Sequence, residues 1–153
     1  MLQHILFICT GNTCRSPLAE GLAMDWLDQH GLLGKWSVGS AGVFAVDGSE
    51  PSPEVAALLA SRGISQVGRS SSLTLGLLRE ASIVLAMTSA HAEAAQRLLG
   101  DAPGPPIQTL DPSGDIPDPI GHGFGVYADL ADQLDAVLDQ VLKKVTHANN
   151  DLG

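Results

Sequence analysis

The segment Cys9-Thr10-Gly11-Asn12-Thr13-Cys14-Arg15-Ser16 sets a thiol, a glycine-asparagine turn and an arginine in one short stretch. A cysteine and an arginine at this spacing face one centre if the backbone between them curls around it and turns its N–H groups inward as an anion nest. Gly11 and Asn12 suit such a curl, because both residue types tolerate left-handed dihedrals. The cradle fits a tetrahedral dianion held by Thr10, Gly11, Asn12, Thr13, Cys14 and Ser16. Cys9 is then the nucleophile, acting as a thiolate, the form that a helix N-terminus and a guanidinium favour. Arg15 clamps two oxygens through its planar fork, which Lys does poorly. Ser16 is placed to donate a hydrogen bond to the Cys9 sulfur. The plain alternative is a buried strand cysteine, a surface arginine and an ordinary turn. A strand before the segment and a Ser-Pro helix start after it favour the chemistry. Two other phosphate motifs do not fit, since no Lys follows the glycine turn and the dinucleotide glycine spacing is missing.

The elements that must hold this loop are legible around it. His4-Ile-Leu-Phe-Ile-Cys9 is a continuous apolar run stopped by Thr10-Gly11-Asn12, which predicts a buried parallel strand. From Pro17 the spacing turns helical, with Leu18, Leu22 and Trp26 on one face. A weaker strand is expected over 36–40, a loop over 41–51, and a helix over 53–62. A strong strand follows over 83–87, then a helix over 89–99 and a fourth strand over 106–110. The last helix carries Leu130, Leu134, Val137, Leu138, Val141, Leu142 and Val145 on one face, with its acids early and Lys143 and Lys144 late, as the macrodipole prefers. Strands alternating with helices predict an α/β three-layer sandwich. Its four-stranded parallel sheet should be flanked by helices on both faces, with the phosphate-binding loop after strand 1. A single domain is expected over 1–147, with a frayed tail over 148–153.

Composition narrows the partners. With 153 residues, 44% of them hydrophobic and 16% charged, the chain can bury a core without disulfides or metal. The formal charge is −9 and the eight basic residues are scattered, so nucleic acid is not an expected partner. The same acidity repels an anionic substrate, so the loop must overcome that field locally. No apolar run reaches bilayer length and Met1 to His4 lack the basic start of a secretory signal. A cytoplasmic monomer that does not bind membranes, carries no cofactor or metal and keeps its two cysteines as thiols is expected.

The loop, with Ser16-Pro17-Leu18-Ala19-Glu20, Ser40-Ala41-Gly42, Val84-Leu85-Ala86-Met87 and Asp118-Pro119, resembles the low-molecular-weight protein tyrosine phosphatase family over nearly the whole chain. The resemblance implies a four-stranded parallel sheet and a two-step phosphocysteine mechanism without metal, acting on phosphorylated proteins. By it Asn12 and Ser40 belong to the network that fixes the loop. A departing alkoxide, phenoxide or guanidine needs a proton, and two Asp-Pro pairs compete to supply it, Asp111-Pro112 and Asp118-Pro119. The family's general acid stands in an Asp-Pro just before the final helix, which selects Asp118 and leaves Asp111 a turn residue.

Within the family the full Cys-Thr-Gly-Asn-Thr-Cys-Arg-Ser string is that of the bacterial protein-arginine phosphatase branch, whereas tyrosine phosphatases carry a larger aliphatic residue at Thr13. The implied substrate is protein phosphoarginine, with phosphotyrosine as the alternative. Two departures stand out. Ile120 replaces the aromatic that relatives place after Asp-Pro, and Gly68 and Arg69 stand where the family often has a His supporting the loop Asn. Cys14 has two open readings, a packing residue or a partner that captures oxidised Cys9 as a reversible disulfide. His122 reads as a solvated loop histidine. The rivals are an arsenate reductase, for which further relay cysteines are missing, and a binding module with an inert cysteine.

Overall fold

The computed structural model describes residues 2–64 and 68–152, with side chains through residue 147. The chain runs β1 (Gln3–Cys9), α1 (Arg15–Gln29), β2 (Trp36–Gly42), α2 (Pro53–Ser61), α3 (Leu75–Glu80), β3 (Ile83–Ala86), α4 (Ser89–Leu99), β4 (Ile107–Thr109) and α5 (Phe124–Leu152). The four strands pair in the order β2-β1-β3-β4, all parallel. From β1 the chain goes first to β2 on one side and later to β3 on the other. The loop after β1 therefore sits where the strand order reverses, the usual crevice of such sheets.

Side-chain alternation along β1 divides the core. Ile5, Phe7 and Cys9 pack with Leu18, Leu22, Leu59, Leu134 and Leu138 from α1, α2 and α5. Leu6 and Ile8 point to the other face and pack with Leu78, Ala95 and Leu99 from α3 and α4. A period of two explains both memberships and why the whole run is apolar. It also puts the Cys9 sulfur on the α1 face and assigns the next residue, Thr10, to the α4 face.

Most expected elements are present with small changes at their ends. α1 starts at Arg15, earlier than Pro17, so Ser16 and Pro17 lie in its first turn. β2 reaches Gly42 because Cys9 pairs with it. α3 was not expected: it is short, contains Gly76 and buries only Leu78, so it has no readable apolar stripe. Thr74 caps it by accepting a bond from the Leu77 amide. α5 is helical to Leu152, and the tail expected over 148–153 lies, in its side chains and in Gly153 as a whole, outside the described residues. Among the described residues no helix is long and apolar enough to cross a membrane.

Gly42 is the glycine on which the seat of the loop depends. A Cβ there would stand 2.4 Å from the Thr10 carbonyl oxygen and 3.1 Å from the Asn12 nitrogen, both backbone atoms that cannot swing aside. Gly42→Ala should therefore cost about 1–3 kcal/mol of stability, as overpacking does, with helix content unchanged by circular dichroism. A denaturant midpoint equal to the parent's would contradict this.

Candidate active site

Between β1 and α1 four backbone carbonyls are occupied by amides from outside the loop or from α1. The Cys9 oxygen accepts from the Val43 amide (2.8 Å), Thr10 from Phe44 (3.0 Å), Thr13 from Ser52 (2.9 Å) and Cys14 from Leu18 (3.1 Å). In a trans peptide the N–H is antiparallel to the carbonyl, so the amides of Thr10, Gly11, Cys14 and Arg15 point the opposite way, into the loop. None of the amides at positions 10–15 finds a protein acceptor among the described residues. The first residue of this turn into α1, Cys14, offers no side-chain cap to the helix. Inward amides at an uncapped helix N-terminus form a seat for an oxyanion.

The curl needs one left-handed residue, and Asn12 supplies it with φ 58°. The expectation that Gly11 shares this conformation is corrected: its φ is not in the left-handed region. A Cβ at Gly11 would meet nothing nearer than Thr13 Oγ1 at 3.8 Å, so glycine there leaves room above the loop instead of relieving backbone strain.

Asn12 also directs the protons around Cys9. The Ser71 amide donates to Asn12 Oδ1 (2.9 Å), which leaves Nδ2 facing Ser16 Oγ (2.8 Å) and Ser40 Oγ (2.9 Å) as a donor to both. Each hydroxyl has one proton of its own. Ser40 spends its proton on Glu20 Oε1 (2.5 Å), and the Ser16 proton is free to be donated to Cys9 Sγ, 2.8 Å away, when the sulfur is a thiolate. Ser16 is fully buried and Cys9 almost so. The chain thus delivers a hydrogen bond to sulfur, the arrangement that favours a thiolate. The Ser71 amide holds the Asn12 oxygen, while Arg69 turns away to the Gly48 carbonyl (2.9 Å) and Glu50.

Arg15 is buried, donating from Nη1 to the Ile116 carbonyl (3.0 Å) with Nη2 at 3.8 Å from Asp118 Oδ2. Asp118 is half-exposed, and its other oxygen accepts from the Ile120 amide (3.1 Å), an Asx turn that holds the carboxylate over the arginine. Asp111 instead accepts from its own neighbour Ser113 through both amide and hydroxyl, as an ordinary turn residue does. Ile120 is exposed at the rim, and the His122 amide donates to the Pro119 carbonyl within the same turn.

Cys14 is a free, buried thiol whose Sγ lies 3.4 Å from the Tyr127 hydroxyl and 3.8 Å from Thr13 Oγ1. Burial first, and then the bond to Cys14, push the Tyr127 phenol up to about 12. Three participants escaped the sequence reading: Glu20, the Ser71 amide, and His91, whose Nε2 lies 2.8 Å from Thr10 Oγ1. Only Glu20 left a signal, an acid four residues beyond Ser16 on the same side of α1. Burial raises its pKa above the ordinary 4.5, partly offset by the Ser40 bond.

The chain matches the family model described as low molecular weight phosphotyrosine protein phosphatase over residues 4–150. It is 38% identical to a protein-arginine-phosphatase of Geobacillus stearothermophilus, covering 95% of this chain and 97% of that one. It is 33% identical to the low molecular weight protein-tyrosine-phosphatase PtpB of Staphylococcus epidermidis, covering 91% and 96%. The crystal structure of a YwlE mutant from Bacillus subtilis superposes with a TM-score of 0.85 at 34% identity, covering 94% of this chain and 99% of that one.

Asn12→Gly keeps the left-handed turn and removes the amide, so calorimetry should show inorganic phosphate binding about five- to tenfold more weakly. Asn12→Ala should lose the same affinity and a further ~1–2 kcal/mol of stability, because Cβ strains the turn. Glu20→Gln keeps an acceptor for Ser40 and removes a buried charge. A folded pKa raised above 4.5 means the parent's stability contribution is present below that pH and is lost as pH rises through the folded value. The melting temperature of Glu20→Gln should therefore gain on the parent from pH 4.5 toward 7, and parallel pH curves would refute this.

Proposed function

The chain belongs to the low molecular weight phosphotyrosine protein phosphatase family, and from that premise we propose that it hydrolyses phosphorylated protein side chains through a phospho-Cys9 intermediate, with phosphoarginine as the preferred substrate. The observation that carries the reading is the loop itself: inward amides surround the position in front of a buried sulfur to which Ser16 donates.

In the first step Cys9 Sγ attacks phosphorus in line with the leaving group. The S–P bond forms as the P–N bond of phosphoarginine, or the P–O bond of phosphotyrosine, breaks. The loop amides and the Arg15 fork hold the equatorial oxygens, where the transition state concentrates charge. Asp118, at the mouth and half-exposed, gives its proton to the departing nitrogen or oxygen. In the second step Asp118 takes a proton from water, the water oxygen attacks phosphorus, and Sγ departs as thiolate into the Ser16 hydrogen bond. Phosphate and the starting enzyme are restored. The chemistry needs no redox partner.

Three features support arginine. Thr13 gives a small hydroxylated wall, Asp118 can pair with a substrate guanidinium, and Ile120 offers no ring for an aryl group to stack on. The likeness to PtpB favours phosphotyrosine as the second reading. Asn12 and Ser40 act as supports for Ser16, and Ile120 as part of the pocket rim. The enzyme works as a cytoplasmic monomer.

Cys9→Ser should abolish turnover of an aryl phosphate, and Asp118→Asn should lower kcat by about 10²- to 10⁴-fold, the usual worth of a general acid. Initial rates on phosphoarginine and phosphotyrosine proteins, measured side by side, should favour the former, and Thr13→Ile should shift the ratio toward the latter. A ratio that Thr13→Ile leaves unmoved would remove Thr13 as the determinant. Persistent turnover in Cys9→Ser would remove the mechanism.

A further inference from the structure

Thr10, the residue directly after the sulfur, is tied across the sheet to α4. Its Oγ1 lies 2.8 Å from His91 Nε2, while Cys9 packs on the opposite face among the α1 and α5 side chains. His91 is the third residue of α4 and is 6% exposed. Its backbone amide donates to the cap residue Thr88 (3.2 Å), so the ring is anchored at the start of a well-formed helix. The other ring nitrogen, Nδ1, is buried with no hydrogen-bond partner among the described residues.

That orphan decides the tautomer. A proton on Nδ1 would be a buried donor without an acceptor, which folded proteins very rarely tolerate, whereas a bare lone pair is a milder loss. A doubly protonated ring carries the same orphaned donor and a charge besides. Burial opposes that charge most strongly. Arg15 opposes it too, and Asp115 and Asp118 favour it, with the net effect of lowering the pKa of His91. The amino end of α4 adds to the opposition. The proton therefore sits on Nε2, and His91 donates to Thr10 Oγ1.

The direction of this bond matters for the loop. A Thr10 hydroxyl that accepts from His91 keeps its own proton, and Thr10, the residue directly after the sulfur, is exposed, with no other side-chain partner among the described residues. We infer that His91 is a positioning residue of the anion loop: as a neutral donor it sets the rotation of the Thr10 hydroxyl, leaving the Thr10 proton for the phosphoryl group of the bound substrate. This rests on the phosphatase reading and deepens it. Two hydroxyls are then oriented by the same logic, one from within the loop and one from outside it. Ser16 is set by Asn12 toward sulfur, and Thr10 by His91 toward the ligand.

The test is a double-mutant cycle with inorganic phosphate as the probe, its affinity measured by calorimetry beside KM and kcat. Thr10→Val and His91→Leu should each weaken phosphate binding and raise KM about five- to tenfold, and the double variant should be no worse than either single one. His91→Gln places an amide donor near the Nε2 position and should restore affinity to within about twofold. If His91→Leu does not fold, His91→Asn, whose amide is too short to reach Thr10, takes its place and is read in the same way.

The inference is overturned if the His91 variants lower only the melting temperature and leave phosphate affinity and KM alone. It is equally overturned if the Thr10 and His91 losses multiply. The parent and Cys9→Ser are assayed alongside. Turnover that survives Cys9→Ser would defeat the phosphatase mechanism itself, whereas turnover lost there together with an uncoupled Thr10–His91 pair would defeat this inference alone.

Discussion

A backbone amide at Ser71 determines which way the protons around the reactive sulfur point. It can only donate, so the oxygen of the Asn12 carboxamide must face it and the nitrogen must face the two serines. From there each hydroxyl has a single free choice, and the buried surroundings remove it: Ser40 gives to Glu20 and Ser16 gives to Cys9. The chain is directional because donors and acceptors alternate without slack. Turning the Asn12 amide over would set its nitrogen against the Ser71 N–H and draw both serine protons onto its oxygen, away from Glu20 and Cys9, in a site with little water to replace the lost bonds.

The sheet makes this economical. Alternation along β1 sends Cys9 toward the amino end of α1 and Thr10 toward that of α4, so consecutive residues draw on opposite layers. The loop carbonyls are bound by the 43–52 segment and by α1 itself, and the amides are left over for a ligand. Gly42 lets the neighbouring strand come close enough for those bonds, where any side chain would strike the Thr10 carbonyl. A chain with a formal charge of −9 therefore assembles a local anion seat from dipoles and a single buried guanidinium, without a basic patch.

Arg15, at the end of the loop, and Asp118, from the segment before α5, stand close together. The arginine is held by the Ile116 carbonyl on one nitrogen and lies 3.8 Å from the carboxylate with the other. That contact is loose, and the carboxylate is half-exposed, so the acid is positioned by its own Asx turn and not locked into an ion pair. In the proposed mechanism this group gives up a proton and later takes one back, and it needs that freedom.

Much of this was legible in the residues. The apolar run into Cys9, the Ser-Pro start of α1 and the single face of α5 carry local periodicities that tertiary contacts only reinforce. The order of the motifs was enough to name the family and the sheet. The short α3 stayed hidden because one buried leucine makes no period, and Gly11 looked left-handed because glycine permits what the fold did not require. Glu20, the Ser71 amide and His91 reach the site through contacts with Ser40, Asn12 and Thr10 at separations of 20, 59 and 81 residues. The sequence by itself determined which groups were available and which elements would carry them. Only the folded chain decided which proton points at which atom, because a hydrogen bond's direction depends on the partner that space provides, and that partner is set by packing rather than by neighbours along the chain.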